Sequence, residues 1–237
     1  MSLGLGLGLP FTAGRGQWVP PQADSLLWQL DPRAGIAASP VDAWTAKRGA
    51  FSPTATLTAR PTWDGTSVEF DGVDDALTIA TTAAIHPSGA TKFSLLTWVY
   101  PVAPTATAGI VLETGTYPNS IQLQFGTAAC DIFVGTLQAR WPAVPTTGVW
   151  TALCATYDGS RSAGSRMRLF VGAPTVVEVS PASDAVNVTA LPAASGTARI
   201  GGRTGGWYPG KKGDSFFWSG IELVAGEFQQ VVNATNY

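Results

Sequence analysis

Charge is scarce in this chain of 237 residues. Asp, Glu, Lys and Arg together make up 13%, about half the roughly 25% usual for a globular domain. A lone soluble monomer uses surface charge to stay dispersed, so the shortage points to surface covered by partners. The net charge is −2 and no basic run occurs, which argues against nucleic acid as a partner. Long apolar runs are missing as well. None approaches the roughly 18 residues of a membrane helix, so no membrane partner is expected. Cysteine is limited to Cys130 and Cys154, too few for a disulfide framework. The two fall in adjacent predicted strands and read as buried thiols, with a bridge between them left open. The one histidine, His86, lies in the loop-like "AAIHPSG". No Gly-x-Ser-x-Gly elbow accompanies it, and it reads as a bystander. Walker, Cys/His-cluster and calcium-loop patterns are absent.

Glycine and proline are concentrated at the start. "MSLGLGLGLPFTAGRG" has no Lys or Arg before residue 15 and Gly interrupts every apolar step. A secretory signal needs a positive head and an unbroken apolar stretch, so secretion by that route is not expected. Extended, residues 1–22 put Leu3, Leu5, Leu7 and Leu9 on one face and bare glycine on the other, followed by Phe11. Glycine lets another backbone approach closely and loses much entropy on ordering. This segment reads as an assembly arm whose leucines and Phe11 contact a neighbour.

From residue 23 to 237 the pattern is that of a single β domain. Short runs rich in Val, Ile, Phe and Trp alternate with clusters of Gly, Pro, Asp and Thr. Strands are expected over 26–30, 66–71, 75–80, 92–100, 108–114, 120–126, 130–135, 149–157, 166–172, 175–179, 197–201 and 215–224. The best helical candidate is the short C-terminal "EFQQVVNATN". "SVEFDG" and "RMRLFVG" alternate cleanly, each with one face suited to a core, whereas "FSLLTWVYP" is continuously apolar, as a central strand would be.

Six segments in order, "VEFDGVDDALTI", "FSLLTWVYP", "WTALCATYDGS", "MRLFVGAPTVV", "ARIGGR" and "FFWSGIELVAGEF", resemble the laminin-G-like domains of the concanavalin A-like lectin/glucanase superfamily. The resemblance implies an all-β jelly-roll sandwich of two antiparallel sheets, here preceded by an extended arm. The opening residues resemble the first residues of small tailed-phage virion proteins. Together the two resemblances imply a non-enzymatic virion structural or decoration protein. It would sit in the capsid or tail, touch other virion proteins and further copies of itself, and be made in the host cytoplasm. The alternative is a carbohydrate-binding adhesion module that recognises host-surface glycans.

Glucan-cleaving members carry two carboxylates on one strand face. Glu69 and Asp71 match the first half of that pattern, but position 73 is Val and the chain turns at Gly72, so no catalytic pair is expected. Many laminin-G-like domains hold a structural calcium, which the resemblance carries over to Asp71, Asp74, Asp75 and Glu222. Calcium takes six to eight oxygens; the competing reading is that these acids cap turns. Nine tryptophans are present, most of them, including Trp98 and Trp150, expected in the core. Loop aromatics Trp141, Trp207 and Tyr208 are the candidates for glycan or protein contact.

Overall fold

The computed structural model describes residues 18–237, apart from residues 57, 81, 103–108, 173, 204–205 and 236. Leu3, Leu5, Leu7, Leu9 and Phe11 of the arm lie outside the described residues. In chain order the strands begin with β1 (Leu26–Leu30), β2 (Thr62–Trp63), β3 (Val68–Asp71), β4 (Leu77–Ile79), β5 (Lys92–Pro101) and β6 (Gly109–Glu113). They continue with β7 (Ile121–Phe125), β8 (Cys130–Val134), β9 (Leu137–Arg140), β10 (Thr151–Asp158), β11 (Met167–Gly172) and β12 (Val176–Val179). The last are β13 (Ser183–Asp184), β14 (Ala198–Ile200), β15 (Gly202–Arg203), β16 (Gly206–Trp207) and β17 (Pro209–Ser219). Two helices, α1 (Pro32–Gly35) and α2 (Ala225–Thr235), complete the set.

Apart from the β15–β16 ribbon, the strands form two antiparallel sheets packed as a sandwich. The first runs β12-β11-β10-β5-β17-β3-β2, with β1 sharing the β17 edge with β3; the second runs β13-β9-β8-β7-β6-β14-β4. Between them lies the main core, with Phe93, Leu95 and Val99 of β5 facing Leu123 of β7 and Ile132 of β8. A smaller core covers the outer face of the first sheet, where α2 lays Phe228, Val231 and Val232 over Leu96, Trp98, Cys154, Phe170 and Trp218. This second layer explains the unbroken apolar run of β5: the strand is buried on both faces. Each large side chain so buried contributes about 1.5–3 kcal/mol.

The expected strands recur with small boundary shifts, and α2 matches the helical candidate. The structure departs from the sequence reading in its strands. The last strand starts at Pro209 rather than 215, because the polar "PGKKGD" joins β17 through a bulge, and 220–224 is loop. The strands β2, β9, β13, β15 and β16 had no counterpart in the reading. Cys130 and Cys154 are buried thiols, as expected, and the bridge left open is not formed: Cys130 lies in the inter-sheet core, Cys154 beneath α2, and both are free.

Candidate functional site

The register of β17 against β5 shifts between Lys212 and Ser215. Such a bulge re-aims side chains. Lys212 turns inward and is fully buried; its Nζ donates to Ser215 Oγ at 2.6 Å and to Thr97 Oγ1. Burial pushes its pKa down to about 7, against a weaker upward pull from Asp214. Asp214 turns outward beneath the C-terminal residues. Its Oδ2 accepts from Arg33 Nη2 and from the Tyr237 hydroxyl, while Oδ1 has no partner among the described residues. Burial first, then the charge of Asp31, pushes the Asp214 carboxyl up to about 7. An unmatched buried oxygen is costly while the group is ionised, which is the physical content of that shift.

Above Asp214 opens a cleft of about 1200 Å³ on the outer face of the first sheet, walled by β1, α1, the end of α2 and residues 18–23. Local chemistry builds its floor. Asp31 caps α1 by accepting from Arg33 N at 2.9 Å, and Pro32 occupies the first helical position, where a missing N–H costs nothing. The cap sets Arg33 between Asp31, Asp214 and the carbonyl of Thr235. Lys47 Nζ stands 3.2 Å from Asp31 Oδ2 with its side chain 48% exposed. Arg48, exposed on the rim, enters no ion pair among the described residues. Gln29 completes the polar lining and Trp18 supplies an aromatic wall, its ring edge-on to Phe216 at 6.0 Å. The cleft thus offers two accessible cations over a satisfied Asp31–Arg33 pair and a carboxyl poised near neutrality.

The residues singled out from sequence are placed elsewhere. Trp141 is 2% exposed; its backbone N–H donates to Cys130 O and its indole to Phe170 O at 3.2 Å, so it fills the core instead of a rim. Tyr208 is likewise buried, between Phe70 and Phe125, with its hydroxyl donating to Lys211 O. Neither presents a ring to a ligand. Trp207 is half-buried on β16, against Gly202.

The acidic set divides. Asp71, Asp74 and Asp75 each bring a carboxylate oxygen within 4.8 Å of the others. Asp71 Oδ1 accepts from Val73 N and Asp74 N, and Asp75 Oδ2 accepts from Asp71 N, so two of the three acids bond backbone groups of the turn. Glu222 is not with them. Asp71 pairs with Pro209 at one end of β17, and Glu222 follows Ser219 at the other, about 30 Å away at the usual strand rise. There it is clamped by Arg161 at 2.7 Å and Arg168 at 3.4 Å. Glu69 stands apart from Asp71's work, 3.7 Å from Lys211 Nζ. His86 bridges Thr114 Oγ1 at 2.8 Å and Pro192 O at 2.9 Å, and burial lowers its pKa, as befits a structural residue.

No family model and no curated protein matches the sequence. Solved structures do match in fold. The Trypanosoma rangeli sialidase in complex with sialic acid is similar at a TM-score of 0.58 and 10% identity, over 88% of this chain and 33% of that one. The botulinum neurotoxin serotype C1 binding domain is similar at a TM-score of 0.55 and 9% identity, over 90% of this chain and 53% of that one. A type C neurotoxin structure, whose cell entry depends on interaction with two ganglioside molecules, gives a TM-score of 0.55 at 10% identity, over 90% and 52% of the two chains. This chain therefore spans a third to a half of those proteins. The likeness establishes the fold, a sandwich of two antiparallel sheets.

Proposed function

We propose that this chain is a non-catalytic recognition module that binds acidic saccharides in the cleft above Asp214. One observation carries the reading: Arg48, in no ion pair among the described residues, and Lys47 stand exposed at the mouth of the cleft, while Asp31, Arg33 and Asp214 beneath them are already paired. A ligand with a carboxylate or sulfate and several hydroxyls matches that order of charges. The sialic acid complexed with one fold relative and the gangliosides on which cell entry of another depends are ligands of this class. The test is a glycan array of sialylated, uronate-containing and sulfated saccharides. Binding is expected that weakens with salt and falls about tenfold in Arg48→Ala, as loss of one charged contact would give. Silence across the acidic glycans, or binding indifferent to both Arg48→Ala and Lys47→Ala, would sink it.

A second observation bears on attachment. The chain leaving residue 18 toward the arm is rooted on the outer face of the first sheet, where Trp18 meets Phe216 and Pro21 O accepts from Trp218 Nε1 at 2.9 Å. On this reading the Leu-Gly arm docks the module onto a larger assembly by strand addition. With the resemblance of the opening residues, that assembly is proposed to be a tailed-phage virion containing further copies of this chain. Deleting residues 2–16 is expected to leave a folded domain that no longer enters particles; normal incorporation would refute it.

The calcium implied by the laminin-G-like resemblance fits the chain in part. Asp71, Asp74 and Asp75 supply hard oxygen donors with no Lys or Arg paired to them among the described residues, and Glu222 supplies none. A calcium held by those three would stiffen the β3–β4 turn.

A further inference from the structure

Outside the cleft, the same sheet face carries a row of side chains that cross-strand register lines up. Trp150 immediately precedes Thr151, which pairs with Val99, so Trp150 lies beside Tyr100. Tyr100 pairs with Lys211, Lys211 with Glu69, and Glu69 with Thr62. Paired residues share a face. That face is the outer one, since Trp98 and Ala152, two residues along from Tyr100 and Trp150, pack under α2. At about 4.8 Å between strands, the row from β10 to β2 is about 19 Å long.

Its two halves differ in chemistry. At one end, Tyr100 and Trp150 stand 5.4 Å apart between ring centroids, and Trp150 and Tyr237 4.5 Å apart, all three rings half-buried. Trp98 packs beneath them, 5.4 Å from Tyr237. The rings are therefore fixed by packing while keeping part of their surface in water. At the other end, Lys211 Nζ lies 3.0 Å from Asp64 Oδ2 and 3.7 Å from Glu69 Oε2. Asp64 is saturated by Thr66 and Ser67. Glu69, 45% exposed in its side chain, makes no hydrogen bond among the described residues.

We propose that this strip is a second saccharide site, for a neutral oligosaccharide chain lying across the strands. Aromatic faces suit the C–H faces of pyranose rings, and Glu69 with Lys211 offers an acceptor and a donor to hydroxyls. The charge pattern selects against anionic ligands: Lys211 is already compensated by Asp64 and Glu69, and the carboxylates repel an anion. A hydroxyl, which both donates and accepts, needs no counter-ion. The site does not depend on the acidic-saccharide reading of the cleft, since none of its residues lines the cleft.

The test is calorimetric titration of the full chain with neutral hexaoses of glucose, galactose, mannose and xylose, read alongside tryptophan fluorescence. At least one hexaose is expected to bind, and more tightly than its own disaccharide. Trp150→Ala is expected to weaken it by about tenfold or more, as loss of an aromatic anchor does, and Glu69→Gln by about tenfold. Arg48→Ala should leave it unchanged. Glu69→Gln and Tyr100→Leu alter half-exposed side chains, so they remain informative if Trp150→Ala misfolds. The proposal is overturned if no hexaose binds at millimolar concentration to natively folded protein. It is equally overturned if Glu69→Gln and Tyr100→Leu both keep wild-type affinity.

Discussion

The Tyr237 hydroxyl grips Asp214 from two sides, donating to Oδ2 at 2.7 Å and accepting from the Asp214 backbone N–H at 3.0 Å. The ring lies so close over Gly213 that a Cβ there would stand 2.5 Å from Tyr237 Cζ. The second residue after α2 thus clamps the bulge that shapes the cleft floor. Tyr237→Phe keeps the ring and removes both bonds, leaving a buried N–H unpaired. Unfolding in urea should show a loss of about 1–3 kcal/mol. A loss within error would mean that water replaces the phenol and that the clamp is not structural.

Lys212 should make stability rise with pH above neutrality. Its folded pKa, near 7, lies below the ordinary 10.5, so between those values the unfolded chain binds more protons than the native one. The native state is therefore penalised most at and below pH 7, and the penalty fades as pH approaches 10.5. Lys212→Met removes the buried amine without stranding its partners, because Thr97 Oγ1 and Ser215 Oγ lie 2.7 Å apart and bond each other. The variant is expected to gain about 1–4 kcal/mol at pH 6 and to lose the rise between pH 7 and 10. A destabilised Lys212→Met with an unchanged pH slope would show the lysine to be a net support.

Asp214 acts in the adjoining window with the opposite slope. Its folded pKa is raised, near 7 against the ordinary 3.8. The native state therefore holds a proton that the unfolded chain gives up, and this contribution is full below about pH 4 and lost as pH rises to about 7. Asp214→Asn mimics the protonated carboxyl, so its urea midpoint should vary less than wild type's between pH 4 and 7. Asp75, His86 and Glu178 are shifted within or beside the same window, but both proteins share them, so the difference between the two profiles reports Asp214. Equal slopes in the two proteins would place the Asp214 pKa in the ordinary range.

Period and composition were enough to find most of the sandwich, because its strands are regular where they face the core. Val68 and Phe70 point inward and Glu69 outward, as alternation requires. The reading failed where strand and loop chemistry overlap. Lys211, Gly213 and Asp214 look like a surface turn, yet they belong to a central strand whose bulge absorbs them. Trp141 and Tyr208 sit among Pro and Gly and look exposed. Those neighbours instead let backbone come close: a Cβ on Gly210 would stand 2.5 Å from Tyr100 O and 2.8 Å from the Tyr208 hydroxyl oxygen.

The candidate sites were harder to read, because they are assembled across long sequence separations. Asp31, Arg33, Lys47, Asp214 and Thr235 meet only after β1 docks on β17 and α2 folds back. No local spacing announces such a set. Trp150 looked like core, and only its place at the strand start, beside Tyr100 and beneath Tyr237, leaves its ring half in water. The one site signal that was local in sequence, "FDGVDD", did bring its acids together, since a single turn holds all three.

That turn gives the last prediction. Asp75 is 8% exposed, and its pKa is raised by burial first and then by the charges of Asp71 and Asp74. Three acids crowded without a paired cation should welcome one, and hard oxygen donors favour calcium. Binding confined to the native state stabilises by mass action, by about 2.7 kcal/mol at a hundred times the dissociation constant. That corresponds to a rise in Tm of about 5–10 °C for a domain of this size. Millimolar calcium, but not magnesium, is expected to raise Tm in the wild type and to have no effect in Asp75→Asn. Glu222→Gln is expected to respond like the wild type, because Glu222 lies at the far end of β17 with Arg161 and Arg168. A melting curve indifferent to calcium would leave the three carboxylates as turn caps alone. Loss of the response in Glu222→Gln would mean that the ion binds at the opposite rim.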